Sequence, residues 1–290
     1  MEKSAREYKL SAEEKQFFAD NGYLVIRQFY DTAACENLRK RFLQVVNKEV
    51  KRGRMAVIED LELKKKTNIP EEYVNKLNSL SYDSEFQKHT EDARMVDVLS
   101  QLLTKDTVIM NSMLINKPPG TPWHPPHQDV YHIPLRPVDK ILTTWTAVDE
   151  ATQDNGCLFV IPGSHKANII YEEHILPGFV NSLFFSIKDL DLLAPMNKWV
   201  ALPMRPGDTV FINSLLIHGS FPNTTKKYRK AITNVYASAE CAYVDVTGTV
   251  QEPFAIEAMK ELRSRGYEFA NYKDAWRFRS KKIGKSKSKL

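Results

Sequence analysis

The pattern of apolar and polar positions changes character twice along this chain and divides it into three regions. Ser11-Ala12-Glu13-Glu14 places a hydroxyl three residues before a carboxylate, a capping box that starts a helix. Asn21-Gly22 ends it. Tyr23-Leu-Val-Ile-Arg-Gln-Phe29 then reads as a strand. Asp31 then caps a second helix, along which Leu38, Phe42, Val45 and Val46 recur at helical spacing. Residues 51–69 are charged and irregular and read as a connection. Residues 71–103 read as mostly helical, with Val96, Leu99, Leu102 and Leu103 on one face.

From about residue 107 the pattern becomes one of strands and turns. Strands are predicted over Val108–Ile115, Ile141–Val148, Cys157–Ile161, Trp199–Met204, Thr209–His218 and Ala231–Ala239. The third is bracketed by the turn pairs Asn155-Gly156 and Pro162-Gly163. Several strands with turn signals and no intervening helices predict a sandwich or barrel and not a parallel sheet. Helices return over 253–276. With no repeat and no linker, the expectation is one domain spanning 1–290: a helical part at 11–106, a β core at 107–246, C-terminal helices and a basic tail at 277–290.

Composition narrows the class. The chain has 290 residues, 42% hydrophobic and 27% charged, enough to bury a sizeable core. No apolar run reaches the ~18 residues of a membrane span, and the polar N-terminus lacks a secretory h-region. Cys35, Cys157 and Cys241 are odd in number and far apart, as expected of reduced intracellular thiols. Much of the net charge of +5 sits in the tail from Arg277 onward, a run expected to be solvated; past Phe278 it lacks the interleaved aromatics of a nucleic-acid binder. The tail ends in Ser288-Lys289-Leu290, the tripeptide read as a peroxisomal address. No P-loop, dinucleotide glycine motif, Cys-x-x-Cys pair or nucleophile elbow occurs.

The candidate chemistry centres on His127-Gln128-Asp129. In an extended segment, residues two apart point the same way, so an imidazole and a carboxylate at this spacing can meet one ion. A second histidine would complete the two-His-one-carboxylate triad that suits a non-haem Fe(II) oxygenase. The other histidines are His89, His124, His132, His165, His174 and His218. His218 closes the predicted strand after Pro206-Gly207-Asp208, with the parity of Val210, Ile212, Ser214 and Leu216. Alone it reads as a core histidine holding one hydrogen bond. Arg229 alters that reading. It lies eleven residues further on, before another strand, where an antiparallel return brings a guanidinium into the same cavity. Such a group is a natural partner for a buried dicarboxylate, and Ser220 adds a hydroxyl. Alone, Arg229 reads as part of a solvated cluster with Lys226, Lys227 and Lys230.

The motifs Met113-Leu-Ile-Asn-Lys-Pro-Pro, His127-Gln-Asp129, Trp145-Thr-Ala, Asn155-Gly-Cys-Leu158, Pro162-Gly-Ser-His-Lys166, Gly207-Asp-Thr-Val-Phe211, Leu216-Ile-His-Gly-Ser220 and Arg229-Lys-Ala-Ile232 resemble those of the phytanoyl-CoA dioxygenase family. The likeness is dense over about 109–248. It implies a mainly β fold with flanking helices around a double-stranded β-helix, the jelly-roll or cupin-like core. It implies Fe(II) and 2-oxoglutarate with O2, and ascorbate to keep iron reduced. By matching motif, His127, Asp129 and His218 are the implied iron ligands. Arg229 and Ser220 are the implied holders of the distal 2-oxoglutarate carboxylate. Trp145 and Met113 are implied to line that pocket, and Lys76 in Val74-Asn-Lys-Leu matches a co-substrate-binding lysine. The implied reaction is 2-hydroxylation of a branched fatty acyl-CoA in peroxisomal α-oxidation. The implied partners are that acyl-CoA and, through Ser288-Lys289-Leu290, an import receptor. Nucleic acid and a membrane span are not expected. The alternatives are a hydroxylase of another small molecule on the same scaffold and a non-catalytic β-barrel binding protein.

Overall fold

The computed structural model describes residues 7–175, 185–264 and 266–283, so the tripeptide 288–290 lies outside the described residues. The N-terminal region contributes α1 (Ala12–Asn21), β1 (Tyr23–Ile26), α2 (Thr32–Val46), β2 (Ala56–Glu59), α3 (Leu61–Lys64), α4 (Pro70–Tyr73), β3 (Val74–Asn78), α5 (Ser84–Thr90) and α6 (Ala93–Leu102). The core follows with β4 (Thr107–Lys117), β5 (His124–His127), α7 (Asp129–His132), β6 (Leu135–Arg136), β7 (Ile141–Ala147) and β8 (Leu158–Val160). It continues with β9 (Glu173–Ile175), β10 (Phe185–Ile187), α8 (Leu190–Leu193), β11 (Val200–Leu202), β12 (Thr209–Asn213), β13 (His218–Ser220), β14 (Arg229–Ser238) and β15 (Ala242–Tyr243). Then come α9 (Glu252–Ser264), α10 (Tyr272–Arg279) and β16 (Lys281–Lys282).

Two antiparallel sheets face each other in a jelly roll. The larger runs β1-β12-β7-β14-β4-β3-β2, with β16 on β4; the smaller runs β11-β8-β13-β5. Strand alternation divides the core between two layers. Val210 and Ile212 pack between the sheets with Trp145, Leu158, Val160 and Ala231. Phe211, between them in sequence, turns outward to Leu24, Phe29, Leu99 and Tyr236 under the helices. A second outer cluster joins Leu38, Phe42 and Val45 of α2 to Leu77, Leu114 and Ile232.

Local signals hold at the start of the chain. Ser11 Oγ accepts from Glu14 N and Glu14 Oε2 accepts from Ser11 N, closing the capping box. Gly22, at φ 80°, ends α1, and Asp31 caps α2. Five expectations are corrected. The strand from Tyr23 stops at Ile26, short of Phe29. The 51–69 connection contains β2 and α3, and β2 pairs with β3. The 71–103 region, expected to be helical, holds β3, which pairs with β4 through Lys76↔Ile115 and Asn78↔Met113. Thr209–His218 is not one strand: β12 ends at Asn213, Leu216 N bonds back to Asn213 O, and His218 opens β13 in the other sheet. Lys230 also leaves the expected surface cluster. It is buried against Glu71 and Asp149.

Candidate active site

The smaller sheet brings the two histidines together. His218 pairs directly with His127 across β13 and β5, and beyond a register shift Ser220 pairs with His124. Pro125 and Pro126 fit β5 because it is an edge strand, where a missing N–H is tolerated. His127 ends β5 and Asp129 begins α7, so the pair spans a strand–helix junction and not one strand. Gln128 between them is extended (φ −114°, ψ 130°), which turns both side chains the same way. His218 reaches its place through the corner after β12, not through parity with Val210.

His127 Nε2 lies 3.7 Å from Asp129 Oδ1, and His218 Nε2 lies 3.7 Å from Asp129 Oδ2. The two imidazole centroids are 4.4 Å apart. Among the described residues these three are the group whose ligand atoms converge, all within 4.8 Å. Each imidazole Nδ1 lies against a backbone carbonyl: His127 against Pro125 O at 2.9 Å, His218 against Leu216 O at 3.0 Å. A carbonyl only accepts, so Nδ1 carries a proton and Nε2 is the nitrogen that faces Asp129 and is left to bind a metal. Asp129 Oδ2 is buried without a hydrogen-bond donor. Two Nε2 lone pairs and an unsatisfied carboxylate oxygen fit one divalent cation with open positions. Burial opposes charge on Asp129, but His218 and His127 outweigh it and hold the carboxyl below its ordinary range. Burial also opposes charge on His127, which Asp129 reverses, while His218 stays below its ordinary value.

Gln128, fully buried, braces this junction. Its Nε2 donates to Leu215 O (2.7 Å) and Ile169 O (3.0 Å), and its Oε1 accepts from Tyr171 N (2.8 Å). Its backbone N donates to Glu173 Oε1 at 2.8 Å. Glu173 is nearly inaccessible, and burial pushes its carboxyl up to about 8. Its Oε2 faces His132 Nε2 at 3.8 Å.

The larger sheet supplies the opposite wall. Directly paired residues share a face. Met113 pairs with Thr233, and Thr233 with Trp145, in one lateral row. Lys76 pairs with Ile115, two residues from Met113, and Arg229 pairs with Lys117, two residues further still. Met113, Trp145, Lys76, Arg229 and Lys117 therefore line one face, the inner one that also carries Ala231 and Val210. Arg229 is buried, with its Cζ 5.3 Å from the Trp145 ring centroid and with Nε and Nη1 lacking partners. A buried guanidinium with orphan donors beside an aromatic face is the arrangement a carboxylate would complete. Burial holds His124 and His132 below their ordinary range, with the His127 charge and then that of Lys76 adding to it. Ser220 is buried on β13, and its Oγ accepts from Lys117 Nζ at 3.0 Å. Lys117, Gln128 and Glu173 were not singled out from the sequence. For Lys117 the signal was present, since it shares parity with Met113. His165 lies against Ala19 O of α1 and His89 against Thr146, each with structural partners.

The phytanoyl-CoA dioxygenase (PhyH) family model matches residues 18–231. The chain belongs to this family. The bovine protein named "Phytanoyl-CoA dioxygenase, peroxisomal" is 36% identical over 94% of this chain and 82% of its own length. A Caenorhabditis elegans protein named "Probable phytanoyl-CoA dioxygenase" is 35% identical over 97% and 95%. Among solved structures, EctD from S. alaskensis with bound Fe superposes with a TM-score of 0.63 at 21% identity, covering 81% of this chain and 79% of EctD. A second EctD structure holds 2-oxoglutarate and 5-hydroxyectoine, with a TM-score of 0.61. This likeness carries the fold and agrees with the jelly roll. Family membership makes the chain an oxygenase, in line with the implied resemblance.

Proposed function

We propose that this chain hydroxylates C2 of a branched fatty acyl-CoA, phytanoyl-CoA, using Fe(II), 2-oxoglutarate and O2, in the peroxisome. The observation that carries the reading is a three-ligand cluster at the smaller sheet together with a buried arginine, two of its donors orphaned, on the inner face of the larger sheet. His127, Asp129 and His218 would hold the metal. Arg229 would take the distal 2-oxoglutarate carboxylate through its orphan Nε and Nη1, with Trp145 and Met113 as the adjoining wall and Lys76 and Ser220 at its ends. Bound Fe(II) supplies oxidative decarboxylation of 2-oxoglutarate to succinate and CO2, with the second oxygen atom of O2 passing to the substrate carbon. The chain's own part is positioning. Pro125 O and Leu216 O fix which imidazole nitrogens face the cavity, Gln128 locks the junction that aims Asp129, and the apolar inner face excludes water.

Residues 1–290 are read as one such domain, because β1, β3 and β16, from both ends of the chain, enter the same sheet as the core. The acyl-CoA substrate is supported by the names of the relatives, as is the peroxisomal location, together with Ser288-Lys289-Leu290. Among the described residues, no helix is long and apolar enough to cross a membrane.

The test is succinate release by purified protein with Fe(II), ascorbate, 2-oxoglutarate and phytanoyl-CoA. His127→Ala/Asp129→Ala protein runs beside it, and free phytanic acid serves as a second substrate. Release stimulated by the CoA ester and lost in the double variant is expected. Slow release that no acyl-CoA stimulates would discard the substrate and keep the oxygenase. No release from folded, iron-loaded protein would leave the binding-protein reading.

A further inference from the structure

Lys117 is 3% exposed, as deeply buried as the arginine beside it. It ends β4 directly opposite Arg229 in the larger sheet, yet its Nζ crosses to the smaller one. There it donates to Ser220 Oγ at 3.0 Å and to Phe221 O at 2.5 Å. The crossing has a built path. Gly156, at φ +97°, has no side chain where a Cβ would lie 2.7 Å from Lys117 Cδ and 2.8 Å from Phe221 O. Lys117 and Arg229 are thus two basic groups on directly paired residues, both away from water, and among the described residues neither has an ion-pair partner. Asp149, whose charge reaches Arg229, is already engaged by Arg39 and Lys230. Burial and the neighbouring guanidinium both disfavour the ammonium. Unpaired buried charge of one sign is costly, and an anion entering between the cations would remove the cost.

We propose that Lys117 is a positioning residue of the co-substrate site, acting through Ser220. Lys117 Nζ is the donor of that contact, so Ser220 Oγ is committed as its acceptor, and the hydroxyl proton is left for the carboxylate that Arg229 takes. The second positive charge deepens selectivity for a dianionic 2-oxo acid. This rests on the 2-oxoglutarate reading above.

The experiment measures binding without turnover. Calorimetry on anaerobic, metal-loaded protein compares 2-oxoglutarate with 2-oxobutanoate, which lacks the distal carboxylate. Wild type, Lys117→Met, Ser220→Ala and the double variant are titrated. Lys117→Met is expected to weaken 2-oxoglutarate by roughly 10- to 100-fold, the scale of a hydrogen bond to a charged group, while moving 2-oxobutanoate less than about twofold. The double variant is expected to be no weaker than Lys117→Met alone, because both changes break one chain of contacts. Equal weakening of both ligands would make Lys117 a mere brace between the sheets and overturn the proposal. So would losses that multiply in the double variant. If Lys117→Met does not fold, Ser220→Ala decides alone: an unchanged preference for 2-oxoglutarate rejects the route through Ser220. Wild-type protein that binds both acids equally would remove the Arg229 carboxylate site itself, a failure distinct from the others and fatal to both readings.

Discussion

Single residues here owe their chemistry to which neighbour satisfies which atom. In the site, the backbone carbonyls on His127 and His218 Nδ1 decide what Nε2 can do. His89 shows the same dependence away from the site. It is buried, its Nε2 meets Thr146 Oγ1 at 3.1 Å, its Nδ1 has no partner, and its ring stacks 4.4 Å from Tyr30. Burial, partly countered by Asp92, holds its pKa down at about 4 against an ordinary 6.5. The folded protein therefore keeps the ring neutral where the unfolded chain takes up a proton. Between pH 6.5 and 4 the unfolded state binds more protons, so stability falls as pH falls, and above 6.5 the effect vanishes. The full window corresponds to about 3 kcal/mol. Denaturant midpoints measured from pH 7 to 4.5 should fall less steeply for His89→Phe, which keeps the ring against Tyr30, than for wild type. Equal slopes would place the acid sensitivity elsewhere.

Elements were legible where the pattern that makes them is local. The α1 capping box, the Gly22 stop and the alternation in β12 all act over a few residues. β3 was not, because Val74 and Leu77 are its buried apolar residues and stand three apart, the spacing of a helix face. What makes it a strand is the exposed edge of β4, about forty residues away in sequence. The β12–β13 corner was hidden for a related reason: Leu215, Leu216 and Ile217 are apolar and buried, and continue the run through the break. His218 reaches its place by a geometry other than strand parity, and Arg229 sits in the other sheet and not on a strand returning beside it. The corner is held from outside by Gln128, through Leu215 O and the 169–171 backbone. Gln128→Ala leaves the buried Leu215 carbonyl unpaired and frees the more exposed Ile169 carbonyl and Tyr171 N–H, a loss of about 1–3 kcal/mol. It should also weaken metal binding about tenfold, because the backing of His127, Asp129 and His218 loosens. Thermal melts and a metal titration together check this. A lowered melting temperature with unchanged metal affinity would make Gln128 a fold residue only.

At the scale of the molecule, the two described ends of the chain join one outer cluster of the larger sheet, through Leu10 and Ile283, and this changes what a tail deletion means. The basic run from Arg277 is not all tail: α10 continues to Arg279, and β16 pairs Lys281 with Ile109 and Lys282 with Val108. Lys281 Nζ binds Glu91 Oε1 (2.5 Å) and Ser81 O (3.3 Å), and Tyr82 Oη donates to Phe278 O and Ser280 O. Ile283 closes the cluster with Leu99 and Ile109. Burying one such side chain contributes about 2 kcal/mol, before the lost strand pairing is counted. Two truncations should therefore differ. Removing 284–290 is expected to leave melting temperature and purified turnover at wild-type values and to abolish peroxisomal import of a fluorescent fusion carrying the tag at its N-terminus. Removing 281–290 is expected to abolish import as well, and to lower the melting temperature by several degrees. Import that survives loss of 284–290 would remove Ser288-Lys289-Leu290 as the address. Purified turnover that disappears with those seven residues would mean that the basic end takes part in the chemistry, and the tail would then have to be counted with the active site.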